Sequence, residues 1–385
     1  MSRETLSISG LASVSPLGYG PEATWKAYQD PAHRLQEQEI GGVRAWMGSC
    51  PGPVRRELAA LRAAAANYKA LDESVLLAIL ASRAAADAAG WRRGEHIGVN
   101  IGSSRGATGL FESYHEDFLR TGETAGLSSP TTTLGNIAFW VAQDLNTPGP
   151  EFSHSITCST ALHALLNGIA WLRSGMSDRF LVGGSEAPLT PFTLAQMKAL
   201  RIYSRETGPY PCRALDPTKS NNSMVLGEGA AVACLEKGKT ERTLALIRGY
   251  GYATEPLRHP ASLSAAADCL QASMRMALGS LAPEEVDVVV LHAPGTLTGD
   301  RAELRAVEKV FGPRLPALTG NKWKIGHTLG ASGMLSLEMA VQMLVRQQFI
   351  GLPFGLSPVP QRLQTILVNG VGFGGNAVSI LLERA

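Results

Sequence analysis

The sequence predicts an α/β fold in which helices cover the faces of a β-sheet. Short apolar runs of strand length alternate with longer segments of helical periodicity, which is typical of layered α/β proteins. With 385 residues, 45% of them apolar, the chain can form one large core or two compact halves. The charged join KGKTER precedes a new strand pattern, so we place a boundary there between halves 1–240 and 241–385.

The clearest elements of the first half have recognisable ends. Asp72 is a candidate N-cap for an apolar helix, and Gly90 is the expected stop. The strand-like segment 96–102, HIGVNIG, follows with alternating apolar residues. In segment 153–175 a short strand ends at a Thr-Cys-Ser turn, and a largely buried helix then runs to a glycine.

The second half repeats the pattern of strands and helices. Segment 283–293, PEEVDVVVLHA, predicts a strand, and segments 299–312 and 331–349 predict helices. The chain then closes with two strands around a glycine turn in segment 364–383.

Composition argues against several classes of protein. The formal net charge is +2, which does not favour a general binder of nucleic acid or membrane surfaces. No apolar run reaches the roughly 18 residues of a membrane helix, and the chain begins without a secretory apolar region, so we expect a cytoplasmic protein. The five cysteines are scattered without CxxC spacing and predict neither disulfides nor a zinc site.

Two residues are candidate nucleophiles. Ser104 lies in GSSRG, which matches the G-x-S-x-G elbow of serine hydrolases, although so short a match arises easily in a chain with 41 glycines. Cys158 lies at the start of the predicted helix in segment 153–175, where free N–H groups and the helix dipole favour a thiolate. The alternative is a buried structural cysteine at a tight turn.

A glycine-rich loop supplies candidate partners for Cys158. Lys322 and His327 lie in GNKWKIGHTLGASG, ahead of a predicted helix. A lone loop histidine is more often structural, but a histidine that pairs with a cysteine can act as its base.

The chain resembles the elongating β-ketoacyl-acyl carrier protein synthases, condensing enzymes with the thiolase fold, almost from end to end. The resemblance rests on SISGLASVSPLG, TCSTALHALLNG, MVLGEGAAVACLE, NKWKIGHTLGASG and VGFGGNA, in that order. It implies two similar halves, each with a mixed sheet covered by helices, in a layered αβαβα arrangement.

The resemblance also implies roles for individual residues. Cys158 would accept an acyl group from a thioester. His327 would donate a hydrogen bond to the enolate formed when a malonyl thioester loses carbon dioxide, and Lys322 would support this site electrostatically. The backbone N–H groups of Cys158 and Val371 would form the oxyanion hole.

The expected partners follow from the same resemblance. Thr296 and Thr298 would hold the phosphopantetheine arm of an acyl carrier protein, and no cofactor or metal is implied. The family forms dimers through the strand before the nucleophile, here EFSHSIT, but one chain does not distinguish a homodimer from a heterodimer.

One departure from the family pattern bears on the chemistry. The second histidine of the family precedes a Gly-Thr pair, and this chain has Pro294 there, which cannot donate a hydrogen bond. His292 lies two residues earlier, about 6 to 7 Å away if the chain is extended. That separation predicts that His292 is a neighbour of the missing residue, unless a local bulge brings it closer.

Further departures are weaker. Val371 replaces a gating phenylalanine, and the usual threonine before Asn376 is missing. Segment 216–229 has two extra residues and lacks an Arg-Asp-Gly sequence. Ser336 stands where a glutamate is expected, and Glu338 follows on a different face of the helix.

These observations favour a synthase-family subunit of type II fatty acid or polyketide elongation that resembles a chain-length factor and works beside an active synthase. One alternative is a self-sufficient condensing enzyme that uses Cys158, His327 and a displaced His292. A more remote alternative is a serine hydrolase that uses Ser104.

Overall fold

Two sets of five strands with matching connections, together with one short extra strand, form the main sheet. The computed structural model describes residues 5–256, 263–355 and 357–385. The strands are β1 (Leu6–Ser15), β2 (Gly18–Tyr19), β3 (Gln36–Ile40), β4 (Val43–Gly48), β5 (Gly98–Gly102), β6 (Glu151–Phe152), β7 (Arg179–Glu186), β8 (Leu226–Gly227), β9 (Gly229–Lys237), β10 (Ala245–Thr254), β11 (Val288–Val290), β12 (Ala317–Thr319), β13 (Thr365–Gly372) and β14 (Asn376–Arg384).

The helices separate and cover these strands. They are α1 (Pro21–Gln29), α2 (Gly52–Ala64), α3 (Glu73–Ala89), α4 (Thr108–Thr121), α5 (Ser128–Thr132), α6 (Asn136–Leu145), α7 (Thr160–Ser174), α8 (Pro191–Ala199), α9 (Asp268–Leu278), α10 (Leu297–Phe311), α11 (Lys322–Ile325) and α12 (Ser332–Arg346). No helix in the described segments is both long and apolar enough to span a membrane.

The strand order shows an internal repeat. In the described chain the order is β12-β11-β13-β14-β10-β1-β9-β7-β5-β6. In one half, β11 pairs in parallel with β12 and β13, and β14 joins β13 to β10 through antiparallel pairs. In the other, β5 pairs in parallel with β6 and β7, and β9 joins β7 to β1 in the same way. The halves meet where β1 pairs with β10.

Three helical layers alternate with the two halves of the sheet. Helices α7 and α12 pack in the shared central core between sheet residues of both halves. Helices α3 and α6 cover the outer face of the first half, and α9 and α10 cover the outer face of the second. This is the αβαβα arrangement that the sequence predicts. The predicted boundary near residue 240 falls between β9 and β10.

Local signals predict several elements closely. The Asp72 carboxylate accepts the N–H of Ser74 at 2.9 Å and caps α3, and Gly90 ends that helix with φ 73°. In β5, however, the alternation of apolar residues does not mark one covered face, because every residue of the strand is buried. The strand predicted over 283–293 is also shorter than expected, since β11 ends at Val290.

Candidate active site

A cavity of about 410 Å³ brings together most of the site residues that the sequence indicates. Its lining includes Cys158, His292, Pro294, Thr296, Thr298, His327, Val371 and Ser104. Cys158 comes from the first half of the chain, and His292 and His327 come from the second. The cavity therefore depends on the contact between the halves.

Cys158 is presented by a sharp turn that leads into α7. Thr157 has φ 46°, a left-handed conformation that is uncommon for a β-branched residue. Gly372 is the last residue of β13 and allows this strand to approach the turn. A Cβ atom at Gly372 would lie 1.9 Å from Thr157 Oγ1 and 3.0 Å from the Cys158 nitrogen. The turn therefore holds Cys158 against the closing strand.

Cys158 and His327 form a direct pair. The Nε2 atom of His327 lies 3.2 Å from Cys158 Sγ, and both side chains are buried. Burial raises the pKa of the Cys158 thiol to about 12, although the nearby Lys322 ammonium opposes the rise. Burial therefore opposes the thiolate that the helix N-terminus would favour, and the expectation of a thiolate at Cys158 stays a prediction. The same burial, reinforced by Lys322, holds the pKa of His327 well below its usual value, so its neutral ring can accept the thiol proton.

His292 lies beside this pair. The backbone turns after β11, with φ 23° at Ala293. The carboxylate of Glu303 accepts the N–H groups of His292 at 2.9 Å and Ala293 at 2.7 Å. The ring centroid of His292 lies 5.3 Å from that of His327, with the rings at 83°. The extended geometry assumed for residues 292–294 is therefore wrong, and the turn brings His292 into the cavity.

Lys322 is buried and is not among the residues that line the cavity. Burial lowers its pKa to about 8, while the Glu303 carboxylate and the Cys158 thiol favour its protonated form. Burial, with Lys322 next in effect, also holds the pKa of His292 well below its usual value. Both histidines are thus neutral near pH 7.

The residues expected to hold the pantetheine arm and the oxyanion share the same cavity. The Thr296 hydroxyl caps α10 by accepting the N–H of Gly299 at 3.2 Å, and Thr298 is exposed on the first turn of that helix. Val371 lines the cavity from β13, as does Pro294 from the turn after His292. Their binding roles remain predictions.

Ser104 lacks the partner that a serine nucleophile needs. Its backbone N–H donates to the buried Glu186 carboxylate. Within the described residues, no hydrogen bond joins its hydroxyl to a histidine. The strand–turn–helix geometry is present between β5 and α4, but in the described part of the chain no histidine is hydrogen-bonded to Ser104 to act as its base.

Sequence reasoning missed two acidic residues that shape the site. Glu303 is buried on α10, where the only local signal is an acidic residue on the apolar face of a helix. Asp300 accepts the N–H of Gly295 at 3.0 Å and pairs with the buried ammonium of Lys219, which belongs to the divergent segment 216–229. That segment therefore supports the turn that carries His292.

The displaced glutamate of α12 is also buried. Glu338 accepts a hydrogen bond from Ser13 of β1 at 2.8 Å, and burial raises its pKa to about 7. Ser336 lies one half-turn earlier and is buried as well. The described residues contain no cluster of three or more His, Cys, Asp or Glu side chains arranged to hold a metal ion.

Two family profiles match consecutive parts of the chain. The N-terminal domain of β-ketoacyl synthases matches residues 3–241, and the C-terminal domain matches residues 244–351.

Curated relatives are similar over most or all of the chain. The 3-oxoacyl-[acyl-carrier-protein] synthase 2 of Vibrio cholerae is 25% identical over 416 aligned residues, which cover 100% of both proteins. Nodulation protein E of Rhizobium sp. (strain N33) is 28% identical and covers 87% of this chain and 85% of its own length.

Solved structures share the fold. The ishigamide ketosynthase/chain length factor superposes with a TM-score of 0.87 at 20% identity and covers 100% of both chains. The ketosynthase ApeO in complex with its chain length factor ApeC, from Xenorhabdus doucetiae, gives a TM-score of 0.79 at 20% identity and covers 99% of this chain and 98% of that one. With the matched profiles, these similarities show that the chain belongs to the β-ketoacyl synthase family and has its thiolase-like fold.

Proposed function

We propose that this chain is a condensing enzyme in its own right, which joins an acyl and a malonyl thioester carried by acyl carrier protein. The observation that carries the proposal is the position of His292, whose ring lies beside His327 in the cavity that contains Cys158. Cys158 and the two neutral histidines therefore line the same cavity. The turn at Ala293 supports a part for His292 in condensation by this chain.

Acylation would begin at the Cys158–His327 pair. The thiol proton passes to Nε2 of the neutral His327 ring as Sγ attacks the thioester carbonyl. The carbonyl oxygen would be stabilised by the N–H groups of Cys158 and Val371. When the tetrahedral intermediate collapses, the pantetheine thiol leaves with the proton from His327, and the acyl group remains on Cys158.

Condensation would then use both histidines as hydrogen-bond donors, with the neutral His327 ring in the tautomer that carries its proton on Nε2. The malonyl thioester loses carbon dioxide, and the enolate oxygen accepts hydrogen bonds from His292 and His327. The enolate carbon attacks the acyl-Cys158 thioester, so a carbon–carbon bond forms and the bond to sulfur breaks. The Cys158 sulfur takes up a proton, and the extended β-ketoacyl chain leaves on the carrier protein.

The test is condensation by the purified chain, read as carbon dioxide release and β-ketoacyl product from malonyl- and acyl-carrier protein. Cys158→Ala should abolish product formation. Because His292 is one of two enolate donors, His292→Ala should lower the rate by about 10²- to 10³-fold. His96→Ala provides a matched control, since this histidine is exposed and outside the cavity. Full activity in His292→Ala would remove His292 from the mechanism.

A second candidate is the chain-length-factor role in a heterodimer. It is favoured by Pro294, which occupies the position expected for the second histidine, and by the ketosynthase/chain length factor complexes among the structures that share the fold. In that case the purified chain would release no carbon dioxide but would bind a second synthase tightly. Condensation by the mixture, unaffected by Cys158→Ala in this chain, would support this role.

A further inference from the structure

The turn between β5 and α4 brings an arginine to the wall of the cavity. The Ser103 hydroxyl accepts the N–H of Gly106 at 2.9 Å and shapes the turn, and Arg105 lines the cavity. Glu186 connects this turn to the loop that carries His327. Its carboxylate accepts the N–H groups of Ser104 and, at 3.1 Å, Gly330. A Cβ atom at Gly330 would lie 2.6 Å from the Ser104 nitrogen, so these two segments are in direct contact.

The Arg105 guanidinium has more donors than partners. A guanidinium carries five N–H donors, and in the described residues its side-chain acceptor is Gln196 of α8. The Nε atom is buried and has no hydrogen-bond partner among those residues. No carboxylate of the described chain lies within salt-bridge distance of the Arg105 side chain. A charged group with spare donors therefore stands at the wall of the cavity.

Among the described residues, no carboxylate pairs with the charge of Arg105. The neighbouring lining residues Met197, Leu200 and Ile202 are apolar. Glu303 also lines the cavity, but its oxygens accept the N–H groups of His292 and Ala293 and the side-chain amide of Asn369. An alkyl chain that displaced water from this wall would leave the Nε donor without a partner, because only Gln196 accepts from the guanidinium in the described residues, and an unpaired buried donor is unfavourable.

We propose that Arg105 makes the acyl pocket selective for acyl chains that carry a hydrogen-bond-accepting oxygen, as a carboxylate or a keto group, over plain alkyl chains. The inference rests on the proposed function, because it assigns the acyl group that Cys158 accepts. A carboxylate would form a charge-assisted, two-point contact with the guanidinium, and a keto oxygen would accept a single hydrogen bond.

The test measures acylation of Cys158 by intact-protein mass spectrometry, with three pantetheine thioesters of equal chain length: octanoyl, 7-oxooctanoyl and 7-carboxyheptanoyl. The wild-type chain should be acylated by at least one oxygen-bearing thioester about tenfold faster than by octanoyl, or more. Whether the 7-oxo or the 7-carboxy chain is favoured distinguishes a neutral from an anionic group. In Arg105→Met this preference should be lost or reversed.

Two variants control for the change of side chain. Arg105→Lys keeps the charge and should keep the preference for the carboxylate. Arg56→Met removes an exposed arginine on α2 and should change none of the three rates. A wild-type preference for octanoyl, or a ratio that Arg105→Met leaves unchanged, would overturn the inference.

Direct binding separates this inference from the proposed function. If no thioester acylates Cys158, the proposed function fails. Arg105 is then tested by calorimetry with free suberate and octanoate and the unmodified chain. Tighter binding of suberate that disappears in Arg105→Met would support the oxygen-selective wall, and equal binding of both acids would contradict it.

Discussion

Glu303 is the residue on which the position of His292 depends. Its two carboxylate oxygens accept the consecutive N–H groups of His292 and Ala293, and Asn369 Nδ2 donates to the same carboxylate at 3.2 Å. A backbone with φ 23° at Ala293 is unfavourable alone, so these hydrogen bonds are what hold it. Glu303 also favours the charged form of Lys322.

Glu303→Gln is expected to weaken both the turn and the electrostatics of the site. One acceptor oxygen becomes an NH₂ group, so a buried N–H loses its partner at a cost of about 1 to 3 kcal/mol in the free energy of unfolding. Loss of the carboxylate charge also lowers the pKa of Lys322 below its value of about 8. Because Lys322 then loses its proton at lower pH, the alkaline limb of the condensation rate should move to lower pH.

The pH profile separates this positioning role from a general loss of stability. Glu308→Gln is the matched control, because Glu308 is exposed on the same helix. It should leave the urea midpoint and the alkaline limb unchanged. An unshifted alkaline limb in Glu303→Gln would show that Glu303 does not set the charge of Lys322.

Site residues were predictable where family motifs specify them and not where the backbone departs from a regular element. Cys158 and His327 lie in motifs, and the structure brings their side chains into contact. The extended chain assumed through Ala293 was wrong, and the role of His292 stays a prediction. No local pattern reveals that a carboxylate ten residues later, on α10, bends this turn.

At the level of the element, α12 is a helix that is buried almost throughout. Glu338 is the carboxylate within its buried stretch. Every residue from Ser332 to Leu344 is buried. Glu338 receives one hydrogen bond, from Ser13, and its Oε2 atom has no partner in the described residues. Burial therefore keeps this carboxyl group protonated to a higher pH than an exposed glutamate.

Glu338 should make the protein less stable as the pH rises. Its pKa is raised from 4.5 to about 7 in the folded state, so between these values the folded chain holds a proton that the unfolded chain has released. The free energy of unfolding should fall across this pH range by about 3 kcal/mol at most for this group, because each tenfold change in proton affinity corresponds to about 1.4 kcal/mol. The pKa of Glu186 is raised in the same way, so this residue adds to the slope.

Glu338→Gln removes the ionisation of residue 338 and leaves that of Glu186. The free energy of unfolding should therefore fall less steeply with pH. The amide can still accept the hydrogen bond from Ser13, so the variant should match the wild type at pH 5 and exceed it at pH 8 in urea unfolding. Glu284→Gln, at an exposed position before β11, is the control. A wild-type slope that persists unchanged in Glu338→Gln would assign it to other groups.

Elements with local end signals were predicted, and elements that depend on distant strands were not. Helix α3 has its cap at Asp72 and its stop at Gly90, and both lie within its own sequence. By contrast, β3, β4 and β8 form a small separate sheet whose pairing joins residues 47–48 to 226–227. Such pairing depends on the tertiary fold, so no sequence pattern near either strand indicates it.

Across the whole molecule, the central core joins the two halves. Leu162 of α7 fits against two glycines of the second half: a Cβ atom at Gly333 would lie 2.6 Å from its Cγ, and one at Gly370 would lie 2.8 Å from its Cδ1. Cys158 and the two cavity histidines, His292 and His327, are divided between the same halves. The two halves are therefore expected to unfold together, although each has its own outer core.

Leu162→Ala tests this coupling. Truncation of a fully buried leucine should lower the free energy of unfolding by about 2 to 5 kcal/mol, because it leaves a cavity in the shared core. Two buried thiols report on the halves separately: Cys234 on β9 and Cys269 on α9. Their alkylation by iodoacetamide in increasing urea should give one common midpoint, which Leu162→Ala lowers for both thiols.

Leu76→Ala, in the outer core of the first half, should also lower both midpoints together. If Leu76→Ala exposes Cys234 at a lower urea concentration while Cys269 stays protected, the halves unfold independently. The contact between the halves, where Cys158, His292 and His327 lie, would then not join them into one cooperative unit.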